Sequence, residues 1–265
     1  FPPSMDEHNK YSADTPDEGR RSVRELRKYG AQVIKICATG GVFSRNTEPG
    51  QQQMTYEEMK AVVDESHQWG LRVAAHAHGA DGIREAIRAG VDTIEHASLI
   101  DDAGIRLARE RGTWLSMDIY NTEYTQSEGR KNGVLEDNLR KDREIAEVQR
   151  RGFQRAHAAG VRMVYGTDAG VYPHGQNGRQ FAVMDAVAGD RPAAPLFHHC
   201  TMNFFRQVPQ ALDTEHRAHL DVQRATHPVA GTDATGTLRV LYDAGLGEDR
   251  HVGPCRAARE QCSQA

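Results

Sequence analysis

The chain has 265 residues, with 33 Lys plus Arg against 37 Asp plus Glu and a formal net charge of -4. That near-balance excludes a strongly basic nucleic-acid binder and an acidic solvating tail. No stretch approaches the ~18 consecutive apolar residues of a membrane helix, and the four cysteines lack the CxxC spacing of a zinc ribbon or a thioredoxin motif.

One theme recurs along the first two-thirds: a helical pattern, a glycine, then a short apolar strand. Thr15-Pro16 opens the first helix, Gly30 ends it, and the strand QVIKICA carries Lys35. Thr55 and Glu58 form a capping box ahead of a helix ending at Gly70, followed by LRVAAHA, which contains His76 and leads directly into His78. Asp81 is the expected cap of the next helix, which ends at Gly90 before VDTIEHA and His96. Asp101 caps another, closed by Gly112 before TWLSMDI, which contains Asp118 and is followed by Tyr120. Gly160 then precedes VRMVYGTDA, which contains Asp168. Glycine suits these joints because it enters the left-handed region without a Cβ clash. Strands alternating with helices predict parallel βαβ units, and strands apolar on both faces predict a sheet covered on both sides.

Composition changes near residue 184. The remaining 81 residues hold eight arginines and no lysine, six of the thirteen histidines and three of the four cysteines. Periodicity fades there, apart from a short strand expected at Arg239 to Tyr242. The division is therefore 1–184 as one domain and 185–265 as an irregular tail. That tail reads as a shifted frame of a GC-rich gene, or as a divergent loop-rich extension. His198-His199-Cys200 is its one candidate metal cluster, a weak one.

In parallel α/β folds, chemistry sits at the carboxyl ends of the strands. A lone strand histidine is ordinarily a satisfied rim residue, a lone Asp before Ala-Gly a turn former, and a strand lysine a snorkelling side chain. Here Lys35, His76, His78, His96, Asp118, Tyr120 and Asp168 fall on successive strand ends. Two residues apart on a strand, His76 and His78 share a face. Imidazole and carboxylate together suit zinc, manganese or iron.

The motifs VIKICATGGVFS, EPGQQQMTYEEMKAVVDESH, VAAHAHG, GVDTIEHAS, NGVLEDNLRKDREI and VYGTDAGVYPHG resemble the amidohydrolase superfamily, and within it the imidazolonepropionase-like and prolidase-type group. The resemblance runs from about Phe1 to Met184. It implies a TIM-like (β/α)8 barrel, here about its last five βα units, with one or two divalent metals, zinc first, at the carboxyl rim. It assigns Lys35 as a carboxylated metal-ligating lysine, His76 and His96 as metal histidines, and Asp168 as both ligand and proton shuttle. His78 is implied beside the substrate, and Tyr120 is placed, less firmly, to polarise a carbonyl. The implied reaction is metal-assisted hydrolysis of a small amide, such as an Xaa-Pro dipeptide or an N-acyl amino acid. A substrate carboxylate would need a cation, and Arg179, Arg45 and Lys131 are the candidates. Relatives form oligomers, so a homo-oligomer is expected, with neither nucleic acid nor membrane as partner.

Two departures stand against the family pattern. The HxH pair of the first barrel strand is absent, so the sequence reads as starting after strands one to three. Five units cannot close an eight-stranded barrel, so two unpaired sheet edges are expected. Rival readings keep the metal site but change the bond, to a lactone, cyclic amidine or phosphotriester, or make the chain an inactive truncated amidohydrolase.

Overall fold

The computed structural model describes residues 13–188, together with the short pairs 231–232 and 238–239. Seven helices are defined in the first region: α1 (Pro16–Lys28), α2 (Tyr56–Gln68), α3 (Ala80–Ala89), α4 (Asp102–Arg111), α5 (Asn121–Glu128), α6 (Glu136–Ala158) and α7 (Arg179–Ala188). They interleave with β1 (Val33–Cys37), β2 (Arg72–Ala77), β3 (Thr93–His96), β4 (Trp114–Ser116) and β5 (Met163–Val164). These strands form one parallel sheet in sequence order. Among the described residues β1 and β5 are its open edges.

The punctuation behaves as the residues predict. Gly30, Gly70, Gly90, Gly112 and Gly160 all have positive φ. Thr55 and Glu58 exchange both bonds of a capping box, and Asp101 accepts the Gly104 N–H at 2.7 Å. Asp81 does not cap α3. Gly79 holds that position, and Asp81 lies in the first turn paired with Arg84. Outside the main sheet, β6 (Gly231–Thr232) and β7 (Leu238–Arg239) pair antiparallel, so a strand does reach Arg239. The rest of the tail, His198-His199-Cys200 included, lies outside the described residues.

The expectation of a sheet apolar on both faces fails. In β1 the alternation is strict: Ile34 and Ile36 are buried under the helices, while Val33, Lys35 and Cys37 are exposed. Register carries the second face across the sheet. Lys35 lies level with Ala74 and Thr93, and Cys37 with His76, Glu95 and Ser116. One face therefore packs Ile34, Val73, Ala75, Ile94, Leu115 and Met163 into the core. The other carries polar side chains toward the strand ends.

Candidate metal centre

The site starts with β2. His76 is its penultimate residue and His78 follows its end, with the same side-chain parity. The expected shared face is realised, since the two rings stand edge-to-face with centroids 4.7 Å apart. His78 is held from both sides. The Thr39 hydroxyl oxygen accepts its backbone N–H at 2.9 Å, and its ring Nδ1 lies 2.8 Å from the Ser98 hydroxyl.

His96 reaches the same point by a backbone turn. Its Cα pairs with Ala77, whose side chain is buried with the core, so plain alternation would send His96 to the helix side. Instead His96 (φ 69°) and Ala97 (φ 48°) adopt left-handed conformations, uncommon for non-glycine residues and typical of functional strain. The His96 ring lies 4.6 Å from His76 and stacks on His78 at 4.7 Å. One nitrogen from each of the three rings falls within 4.8 Å of the others.

Asp118, beyond the end of β4, fixes the orientation of His96. Its Oδ1 lies 3.0 Å from His96 Nδ1 and accepts from Gln149 Nε2 at 3.3 Å, and its Oδ2 accepts from Asn121. With Nδ1 so engaged, Nε2 is the ring nitrogen left for a ligand, as in carboxylate–histidine–metal arrangements. Gln149, on α6, also donates to the His96 carbonyl at 3.2 Å. The sequence marks Asp118 as a strand-end residue without revealing this orienting role. Asp168, beyond β5, has φ 48°, and its carboxyl lies within 4.8 Å of donor atoms of His96 and Asp118.

Charge follows from this crowding. Burial, with help from the His96 and Lys35 charges, pushes His76 down to about 4. Burial and the His96 and His76 charges lower His78 as well, so both offer lone pairs at neutral pH. For His96 burial works against the charge, but the charge and hydrogen bond of Asp118, joined by Asp168, outweigh it and raise the group. Burial would raise Asp118, yet His96 and its hydrogen bond hold it at about 2. Asp168 is raised by partial burial and by Asp118, against the pull of His96 and Lys35.

Lys35 lies on the same face of the sheet, close enough for its charge to act on His76, His96 and Asp168. An ammonium has no lone pair to give a cation. Tyr120 is outside the donor cluster. It starts α5, packs edge-on against Tyr172 at 5.0 Å, and its hydroxyl accepts from Arg179 at 3.3 Å. With Tyr124, Asn132, Gln176 and Arg179 it lines a cavity of about 420 Å³. Lys131 pairs with Glu128 at 3.4 Å, and Arg45 is exposed in the β1–α2 segment. Of the three candidate cations, Arg179 is the one beside Tyr120.

The donor set fits a divalent metal: His76 and His78 held neutral by burial, His96 oriented by the Asp118 carboxylate, and a further carboxylate beside them.

The sequence matches the Amidohydrolase family over residues 2–225. The chain belongs to the amidohydrolase family. It is 34% identical over 194 residues to the ochratoxinase of Aspergillus niger, covering 69% of this chain and 40% of that one. Among solved structures it is similar to a Xaa-Pro dipeptidase with methionine bound in its active site, at TM-score 0.66 and 34% identity. That match covers 73% of this chain and 48% of the dipeptidase. A prolidase complexed with N-methylphosphonate-L-proline gives TM-score 0.64 at 29% identity, over 72% of this chain and 47% of the other. The chain thus spans less than half the length of these relatives. The five parallel βα units correspond to part of the amidohydrolase barrel.

Proposed function

We propose that the rim of this chain belongs to a metal-dependent hydrolase of small amides, with Xaa-Pro dipeptides and N-acyl amino acids as the substrate class. The observation that carries the reading is the convergence of His76, His78 and His96 on one point, with Asp118 fixing His96 and Asp168 adjacent. The dipeptidase and prolidase among the similar structures support amide substrates.

His76 and His96 would hold the ion, with Asp168, and Lys35 as a carbamate would add oxygen donors. When bound, a divalent ion such as zinc supplies an acidified water and polarises the substrate carbonyl. The chain's own groups do the rest. The raised Asp168 carboxylate accepts a proton at its Oδ and returns it to the leaving nitrogen. His78, with Nδ1 beside Ser98 Oγ, presents Nε2 toward the carbonyl oxygen. The Arg179 guanidinium, next to Tyr120 Oη, receives the substrate carboxylate.

The test is a substrate panel of Xaa-Pro dipeptides, N-acyl amino acids, lactones and phosphotriesters, assayed with zinc- and manganese-supplemented protein. Amide turnover that falls about 100-fold or more in Asp168→Asn supports the reading. Lactone or phosphotriester turnover without amide cleavage moves the site to the rival chemistry. Metal binding without turnover of any class points to an inactive amidohydrolase.

A further inference from the structure

Lysine is almost never fully buried unless paired. Lys141, on α6, is 1% exposed. Its Nζ donates to the Ser44 carbonyl at 2.9 Å and pairs with Asp137 at 2.8 Å. The neighbouring Arg140 reaches Glu48 at 2.7 Å. Ser44 and Glu48 both belong to the segment between β1 and α2, so α6 grips that segment twice.

The gripped segment touches the donor histidines. Thr39 accepts the His78 backbone N–H. Gly41 lies so close to His76 that a Cβ there would stand 3.1 Å from ring Cε1 and 3.2 Å from Nε2. Ser44 N–H closes the turn onto the Gly41 carbonyl at 3.4 Å. The ammonium on α6, the Ser44 turn, Gly41 and the His76 ring thus form one chain of contacts.

We propose that Lys141 is a positioning residue for the metal centre: by anchoring the Ser44 carbonyl it holds the Thr39–Ser44 segment against the His76 imidazole. The inference rests on the metal-centre reading. The Lys141 amine supplies the donor to Ser44 that an apolar side chain of similar length would lack.

Two readouts on the full chain test it, and neither needs turnover. The first is trypsin cleavage after the exposed Arg45, one residue past the anchored carbonyl, in metal-free protein, with cleavage after Lys60 in α2 as the internal reference. The second is the visible absorption of bound Co2+, titrated to give affinity. Lys141→Met is expected to speed cleavage after Arg45 about tenfold relative to Lys60 and to weaken Co2+ binding about tenfold or more. Lys141→Arg, which keeps the charge and donors, is expected to restore both toward wild type. Gly41→Ala serves as a second variant should Lys141→Met fail to fold. Its new methyl would stand 3.1 Å from both His76 Cε1 and Ser44 Oγ, crowding the ring and the anchored turn together, so Co2+ affinity is expected to fall.

A folded Lys141→Met protein with the wild-type Co2+ affinity overturns the inference, even if Arg45 is cut faster. So does Gly41→Ala with an unchanged cobalt spectrum and affinity. Wild-type protein with no cobalt band contradicts the metal-centre reading itself, and the inference falls with it.

Discussion

The two faces of the sheet differ more than any two elements of the molecule. Under the helices, Ile34, Val73, Ile94, Leu115 and Met163 are all but excluded from solvent. On the other face the same strands present Lys35, His76, Glu95 and Ser116, and the rim gathers His78, His96, Asp118 and Asp168. Burial of apolar area, at about 25 cal/mol per Å², places the folding energy on the first face. The second concentrates polar groups, and strained backbone at His96 and Asp168, at a cost in stability. The lesson is that one strand can serve both tasks because its side chains alternate.

If that separation is real, substitutions on the two faces break different things. The largest expected effect is on the helix-covered face. Ile94→Ala, at a fully buried site in the middle of the sheet, is expected to cost about 4 kcal/mol of stability in urea unfolding. Metal affinity of the molecules that remain folded should be unchanged.

Asp142 sharpens the comparison, since it is a buried polar group that is not a member of the donor cluster. Burial pushes it up to about 7, with Asp118 adding to the rise, while Gln126 and Arg143 work the other way. Between pH ~4 and ~7 the unfolded chain releases this proton and the folded chain keeps it. Stability therefore falls across that window and levels off above it. Asp142→Asn removes the fall. Thermal unfolding should show the variant more stable at pH 8, by up to about 4 kcal/mol, with the advantage gone near pH 4.

On the polar rim, Asp118→Asn removes the charge that orients His96. Metal affinity is expected to drop by about 10- to 100-fold, read by competition with a chromophoric chelator. Unfolding should change much less than for Ile94→Ala. The smallest effect belongs to a feature shared by neither face. Asp101→Ala deletes the α4 cap and is expected to cost about 1 kcal/mol in urea unfolding, with metal binding untouched.

Much of this architecture was legible in the sequence because it depends on local chemistry. The five glycines that end helices, the Thr55–Glu58 box and the Asp101 cap are decided by residues within one turn. The strand-end histidines and Asp168 stood out because parallel sheets put strand ends together. What the sequence concealed depends on distant packing. Nothing near His96 announces its left-handed backbone, since the usual signal is glycine or asparagine. Asp118 looked like one more strand-end acid, because its partners Gln149 and Asn121 come from α6 and α5. Lys141 is buried only because α6 lies across the β1–α2 segment, a contact between residues about a hundred positions apart. The expectation of a doubly covered sheet failed for a similar reason: alanine and cysteine count as apolar in a short strand, whichever way they point.

The central claim is that the polar rim holds a divalent metal through His76 and His96. Elemental analysis of the purified full chain after equilibrium dialysis against zinc tests it most directly, alongside His76→Ala and His96→Ala variants shown by circular dichroism to be folded. The account predicts at least one equivalent of zinc retained by the wild type and lost from both variants. A folded wild type that retains no zinc, or variants that retain as much as the wild type, would contradict it.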